Sequence, residues 1–162
     1  MATGGKSTAA VSANAICNND SARPNSGAYK ALLVTSTRYN DGNGTSSDWP
    51  LKAGASYYNM VGLLSFTALG NGLPPNTFSN VIDPSSAYVV WTGAGVIEDA
   101  TVSWTQPANV GEICSDWTGD GTNMTNSAIA GAPQNNSSAT WNYNGGSGST
   151  CTDNIPLYCV QQ

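Results

Sequence analysis

The chain has 162 residues, with five Lys and Arg against ten Asp and Glu, for a net charge of −5, and it contains no His. That length fits a single domain over residues 1–162, of which 1–6 read as a flexible or expression-derived leader. The few basic residues form no cluster, which excludes a nucleic-acid footprint, and the lack of His excludes His-based triads and His metal ligands.

Residues 7–18 read as a helix. Ser7 or Thr8 can cap it, and Ala9, Ala10, Ala13, Ile16 and Cys17 recur at helical spacing, so that Cys17 is carried into the core. Asn18 to Ser21 and Arg23-Pro24-Asn25 end it, because proline disfavours a helical residue before it. Residues 29–34 read as a buried strand, and 38–47 as a turn-rich loop around Asp41-Gly42-Asn43-Gly44. One or two short strands are expected in 55–69 around Gly62, followed by a loop at 70–75. The clearest central strand is 87–92, and 102–104 forms a short one. From 118 to 150 the sequence is mostly Gly, Asn, Ser and Thr. It reads either as a disordered tail or as a long loop region closed by a disulfide. Residues 155–160 form the last strand. One helix followed by short strands and long loops is the α+β class.

Charged residues make up 9% of the chain, about a third of the usual ~25%. Asn, Ser, Thr and Gly must therefore supply the surface polarity, as in many exported bacterial and phage surface proteins. No apolar run reaches the ~18 residues of a membrane span. The start of the chain has no charged and then apolar signal segment. We read Met1 as replacing an export segment.

The four cysteines are Cys17, Cys114, Cys151 and Cys159. An even count without a Cys-x-x-Cys pair favours disulfides over zinc, and so an oxidising compartment. Three pairings are possible. The placement favours nesting, Cys17 with Cys159 and Cys114 with Cys151, but the sequence leaves all three open.

Several motifs spread along the chain carry a resemblance. They are Ala13 to Cys17, Tyr29 to Val34, Asp48-Trp49-Pro50-Leu51-Lys52, Val90-Trp91-Thr92-Gly93, Cys114-Ser115-Asp116-Trp117-Thr118, Trp141-Asn142 and the closing Leu157-Tyr158-Cys159-Val160-Gln161-Gln162. Together and in this order they resemble the C-type lectin-like fold, and more closely the lectin-like domain of unknown function found in leptospiral surface lipoproteins. The resemblance implies the nested disulfide pairing and export to the cell surface or outer membrane. It also implies a lipid anchor on an N-terminal segment. It implies no particular ligand.

Calcium-dependent lectins place a Glu/Gln-Pro-Asn/Asp element before a cysteine and an Asn-Asp after a tryptophan. By that likeness Gln106, Asn109, Glu112 and Asn142 are candidate oxygen ligands for Ca²⁺. Ala108 and Tyr143 depart from the pattern, and Glu112 alone would carry charge, which implies weak affinity. The ordinary reading is a polar loop without metal, and no cofactor is expected. Among the aromatics, Trp91 and Trp117 read as core. Trp104, Trp141 and Tyr143 lie in loop context and are the candidate ligand contacts. Glu98-Asp99 and Asp116 with Asp120 read as solvated turn formers, and without His no nucleophile has a base partner. A non-enzymatic surface module follows, with loops over about 94–150 offered to a protein or glycan. A calcium-dependent lectin and a structural surface component are the alternatives.

Overall fold

The computed structural model describes residues 6–85, 88–96, 102–104, 117, 127–128, 130–137, 140, 149–150 and 155–162. Helix α1 (Lys6–Asn19) comes first. The strands that follow are β1 (Tyr29–Ala31), β2 (Tyr39–Asn40), β3 (Ser46–Ser47), β4 (Ser56–Tyr58), β5 (Leu64–Thr67), β6 (Val90–Trp91), β7 (Gly95–Val96), β8 (Val102–Ser103), β9 (Ser127–Ala128), β10 (Ala130–Gly131), β11 (Ser149–Thr150) and β12 (Cys159–Gln161). All the named pairs are antiparallel, and the class is α+β, as expected.

The first and last strands pair with each other. Lys30 lies opposite Val160, and Ala31 opposite Cys159. The segment 29–34 then divides two cores by simple alternation, since successive strand residues point to opposite faces. Tyr29, Ala31 and Leu33 face the helix, packing with Ala13, Cys17, Trp91 and Trp117. Leu32 and Val34 face the other way, into a cluster with Leu51, Phe66, Phe78, Trp104 and Tyr158. Burial of each such large apolar side chain contributes roughly 1.5–3 kcal/mol. The expected strand over 29–34 is laddered only at 29–31. Beyond it, Leu32 N–H still donates to the Tyr158 carbonyl (2.8 Å) and Val34 N–H to the Thr92 carbonyl (2.8 Å).

The buried face of the helix differs from the expected one. Ala13 and Cys17 are buried, but Ile16 is 51% exposed. The cause is polar. The Asn18 side chain donates to Tyr29 O (2.7 Å) and accepts from Tyr29 N–H (2.9 Å), while Asn14 Oδ1 accepts from Ala31 N–H (3.0 Å). These two asparagines stand one turn apart. They turn the Asn14/Asn18 side of the helix onto β1 and leave Ile16 facing out.

Other expectations contract. Of the central strand expected over 87–92, the described residues 88–92 form a strand only at Val90–Trp91, which pairs with β10. Tyr88 is exposed, and Gly93 at φ 63° ends the extended run. The turn-rich 38–47 segment is a hairpin, its loop closed by Asp41 Oδ1 accepting from Asn43 N–H (2.8 Å) and Thr45 N–H (2.9 Å). In the polar stretch 118–150, the described residues include three paired strands, so a disordered tail does not describe those parts. A disulfide joins Cys17 to Cys159 across 142 residues of sequence. The two nested disulfides expected are thus seen as one, and Cys114 and Cys151 lie outside the described residues. Among those residues no helix is long and apolar enough to cross a membrane.

Candidate functional site

The segment between β6 and β12 was expected to carry the contacts. Among its described residues, Trp104, Trp117 and Thr140 are buried and act as anchors. Trp104 is only 2% exposed and meets Trp49 edge-on, with ring centroids 5.4 Å apart. Its carbonyl accepts from Asn40 N–H (3.0 Å). Trp104 was expected as a ligand contact in a loop; it is instead a core residue. The reason is long-range. It fills the gap beside Trp49, a partner far away in sequence that local context does not reveal. Trp117 holds φ 60° with its ring against Trp91 (5.5 Å), and its indole N–H donates to the Val34 carbonyl (2.7 Å). Thr140 is buried and accepts from the Tyr158 hydroxyl (2.9 Å). Burial pushes the Tyr158 phenol well above its ordinary range, and the negative charge of Asp83 adds to this, so the hydroxyl remains a donor.

Trp141, Tyr143, Gln106, Asn109, Glu112 and Asn142 lie outside the described residues. Among the described residues no three Cys, Asp or Glu side chains converge as a metal-binding group. Trp91 and Trp117 are buried as expected. The Trp91 indole N–H has no hydrogen-bond partner among the described residues.

The strongest electrostatic feature had no motif to announce it. Arg38 is completely buried. Its guanidinium donates to Asn14 Oδ1 (3.0 Å), to the Ala31 carbonyl (2.8 Å) and, through Nε (3.1 Å) and a second nitrogen, to Asp48 Oδ2. Lys30 pairs with the other carboxylate oxygen. Asp48 is held at φ 50°, and its side chain is 42% exposed. Partial burial alone would raise its carboxyl. Hydrogen bonds from Lys30 and Arg38, with their positive charge, outweigh that and hold it below the usual carboxylate range. A buried cation requires such a partner, because the unpaired charge would be far too costly. The group ties together the helix, β1 and the segment after β3.

A second group lies at the end of the β4–β5 hairpin. Asn59 N–H donates to the Leu63 carbonyl (2.9 Å), and its own carbonyl accepts from Gly62 N–H (2.9 Å). Its side-chain oxygen accepts from Val61 N–H (3.2 Å) and Leu63 N–H (2.9 Å). Its amide donates to the Val81 carbonyl (3.2 Å). Gly62 takes φ 80°, as a three-residue hairpin loop requires. Around this polar hub Tyr58, Met60, Val61 and Leu63 are exposed. The sequence reading missed both groups. The available signals were two asparagines one helical turn apart and, for the hairpin, the lack of any charged residue from 53 to 82.

The family model for a protein of unknown function, DUF1554, matches residues 1–149. The chain belongs to this family. No curated protein and no solved structure matches it. In this DUF1554 chain the matched span includes Cys17, the Arg38–Asp48 pair and the apolar hairpin. The closing strand β12 with Cys159 lies beyond it.

Proposed function

We propose that this DUF1554 chain is an exported, non-enzymatic binding module of C-type lectin-like architecture. Its role is to hold the polar segment between β6 and β12 and offer it to a protein or glycan partner at a cell surface. One observation carries the reading. Helix and final strand are clasped by the Cys17–Cys159 disulfide and the β1–β12 ladder, while the long insertion between them returns to the core at Trp104, Trp117 and Thr140. A disulfide of that kind belongs to an oxidising compartment. A rigid frame with an inserted segment is the usual arrangement for loop-borne recognition. The order of motifs resembles the lectin-like domain of leptospiral surface lipoproteins, which supports the same reading and a lipid anchor.

The test is a glycan and surface-protein panel probed with the oxidised full chain. Trp141→Ala with Tyr143→Ala should abolish any binding found and leave the melting temperature unchanged. Binding that survives both substitutions would place recognition elsewhere. Millimolar Ca²⁺ should not alter the melting temperature. A rise that depends on Glu112 would favour a calcium-dependent lectin. Turnover of any substrate in a hydrolase panel would overturn the non-enzymatic reading.

A further inference from the structure

We infer that the β4–β5 hairpin tip is a docking wedge for the interfacial region of a neutral, zwitterionic lipid surface. Whatever the polar segment binds, this inference stands apart from it.

Four side chains at the tip are exposed. Tyr58 is 64% exposed, Met60 65%, Val61 72% and Leu63 52%. Exposed apolar residues scattered singly need no explanation, but a contiguous group does. Here the group sits together at the loop of a single hairpin, between β4 and β5.

Charge decides the kind of surface. No Asp, Glu, Lys or Arg occurs from 53 to 82, although the whole chain carries a net charge of −5. The tip can therefore leave water without desolvating an ion, while the acidic remainder disfavours an anionic membrane. Tyr58, on the last residue of β4, has an apolar ring with a polar end, as side chains at a lipid–water boundary do.

The backbone fits as well. An apolar medium penalises every unpaired N–H. Asn59 takes the N–H groups of Val61, Gly62 and Leu63, so three successive donors of the loop are already satisfied within the hairpin. In an ordinary exposed loop water could do this.

Area argues against a second copy of the chain as the occupant. Four partly exposed side chains amount to a few hundred Å², roughly one surface patch. A stable protein interface takes about 800 Å² from each partner. A wedge in a fluid surface has no such threshold, since affinity grows with the apolar area inserted.

The test is flotation of the oxidised full chain with phosphatidylcholine vesicles. The chain should float at millimolar lipid, and raising NaCl from about 0.1 M to about 1 M should not release it, because no ion pair is involved. Met60→Asp with Val61→Asp should lower the partition coefficient tenfold or more, and the milder Val61→Ser should lower it less. Unchanged thermal melting of both variants would show that the fold is intact. The proposal fails if the wild-type chain does not float, if it floats only with anionic vesicles, or if the substitutions leave partitioning unchanged. It also fails if sedimentation shows a dimer that the same substitutions dissolve, since a second copy would then own the face.

Discussion

The two sides of the central segment 29–34 are secured by different means. The helix side is held by a disulfide, by Asn14 and Asn18 bonded to β1, and by the buried Arg38 with Asp48. The hairpin side depends on aromatic packing, with Tyr57 stacked on Phe66 (5.1 Å) and Phe66 edge-on to Phe78 (5.2 Å). It has no charge from 53 to 82 and ends in exposed apolar residues. Both sides satisfy backbone groups with asparagine. On the helix side those groups are shielded from water, and at the tip they are not. Covalent and polar ties are therefore concentrated at the clasp, and exposed apolar side chains at the tip.

Removing the clasp should have the largest effect. Cys17→Ala with Cys159→Ala frees a 142-residue loop, for which chain entropy gives up to about 5 kcal/mol. Chemical denaturation compared with the oxidised chain would measure it. A loss under about 1 kcal/mol would mean the helix is held mainly by its asparagines. Trp104→Ala should cost about 3–5 kcal/mol, the range for emptying a core aromatic site. If it instead cost nothing and weakened binding, Trp104 would return to the list of contacts.

Next comes Asp48→Asn, which leaves the Arg38 guanidinium buried without its carboxylate. Loss of a fully buried partner costs about 3–5 kcal/mol; the partial exposure of Asp48 should bring this nearer 2. The same variant tests the sign of the pH dependence. The folded carboxyl lies below its ordinary value of 3.8. Its contribution is thus complete above that value and is lost as pH falls through the lower folded one. Melting between about pH 2 and 6 should show a shallower acid limb in Asp48→Asn. Asp41 also contributes to that limb. Bonds from the backbone N–H groups of Asn43 and Thr45 lower its carboxyl in both chains.

Two asparagines give the most direct comparison. Asn18→Ala strands partly buried groups of Tyr29 and should cost about 1–3 kcal/mol. Asn59→Ala frees donors that water can reach and should cost below about 1 kcal/mol. Equal losses would show that the tip is as dry as the clasp. Met60→Asp with Val61→Asp should change stability by no more than about 0.5 kcal/mol, as surface substitutions usually do.

Local sequence signals were sufficient for part of this. The alanine-rich stretch before Cys17 specifies a helix, Asp41-Gly42-Asn43-Gly44 specifies a turn, and the apolar run at 29–34 becomes the partition between the cores. The placement of Cys17 and Cys159 anticipates their bond. The rest depends on partners distant in sequence. Periodicity weighs apolar residues alone, so it put Ile16 inward and overlooked the asparagines that orient the helix. Trp104 lay in a loop-like stretch because Trp49 is invisible from there. Arg38 stands outside any apolar pattern, and only the fold shows that it is buried. Of the candidate contact and calcium residues, Trp104 alone falls among the described residues.

The pair Asn14 and Asn18 has a consequence for self-association. A β-strand has two edges, and an unpaired edge can recruit a strand from another molecule. On β1 one edge is taken by β12. On the other, Tyr29 and Ala31 are already engaged by the helix side chains, so the helix closes the ribbon as a third strand would. Replacing both asparagines would leave the Tyr29 and Ala31 N–H groups unpaired, and wherever the helix lifted, a chain so short of charged residues would have little to keep another from adding to that edge.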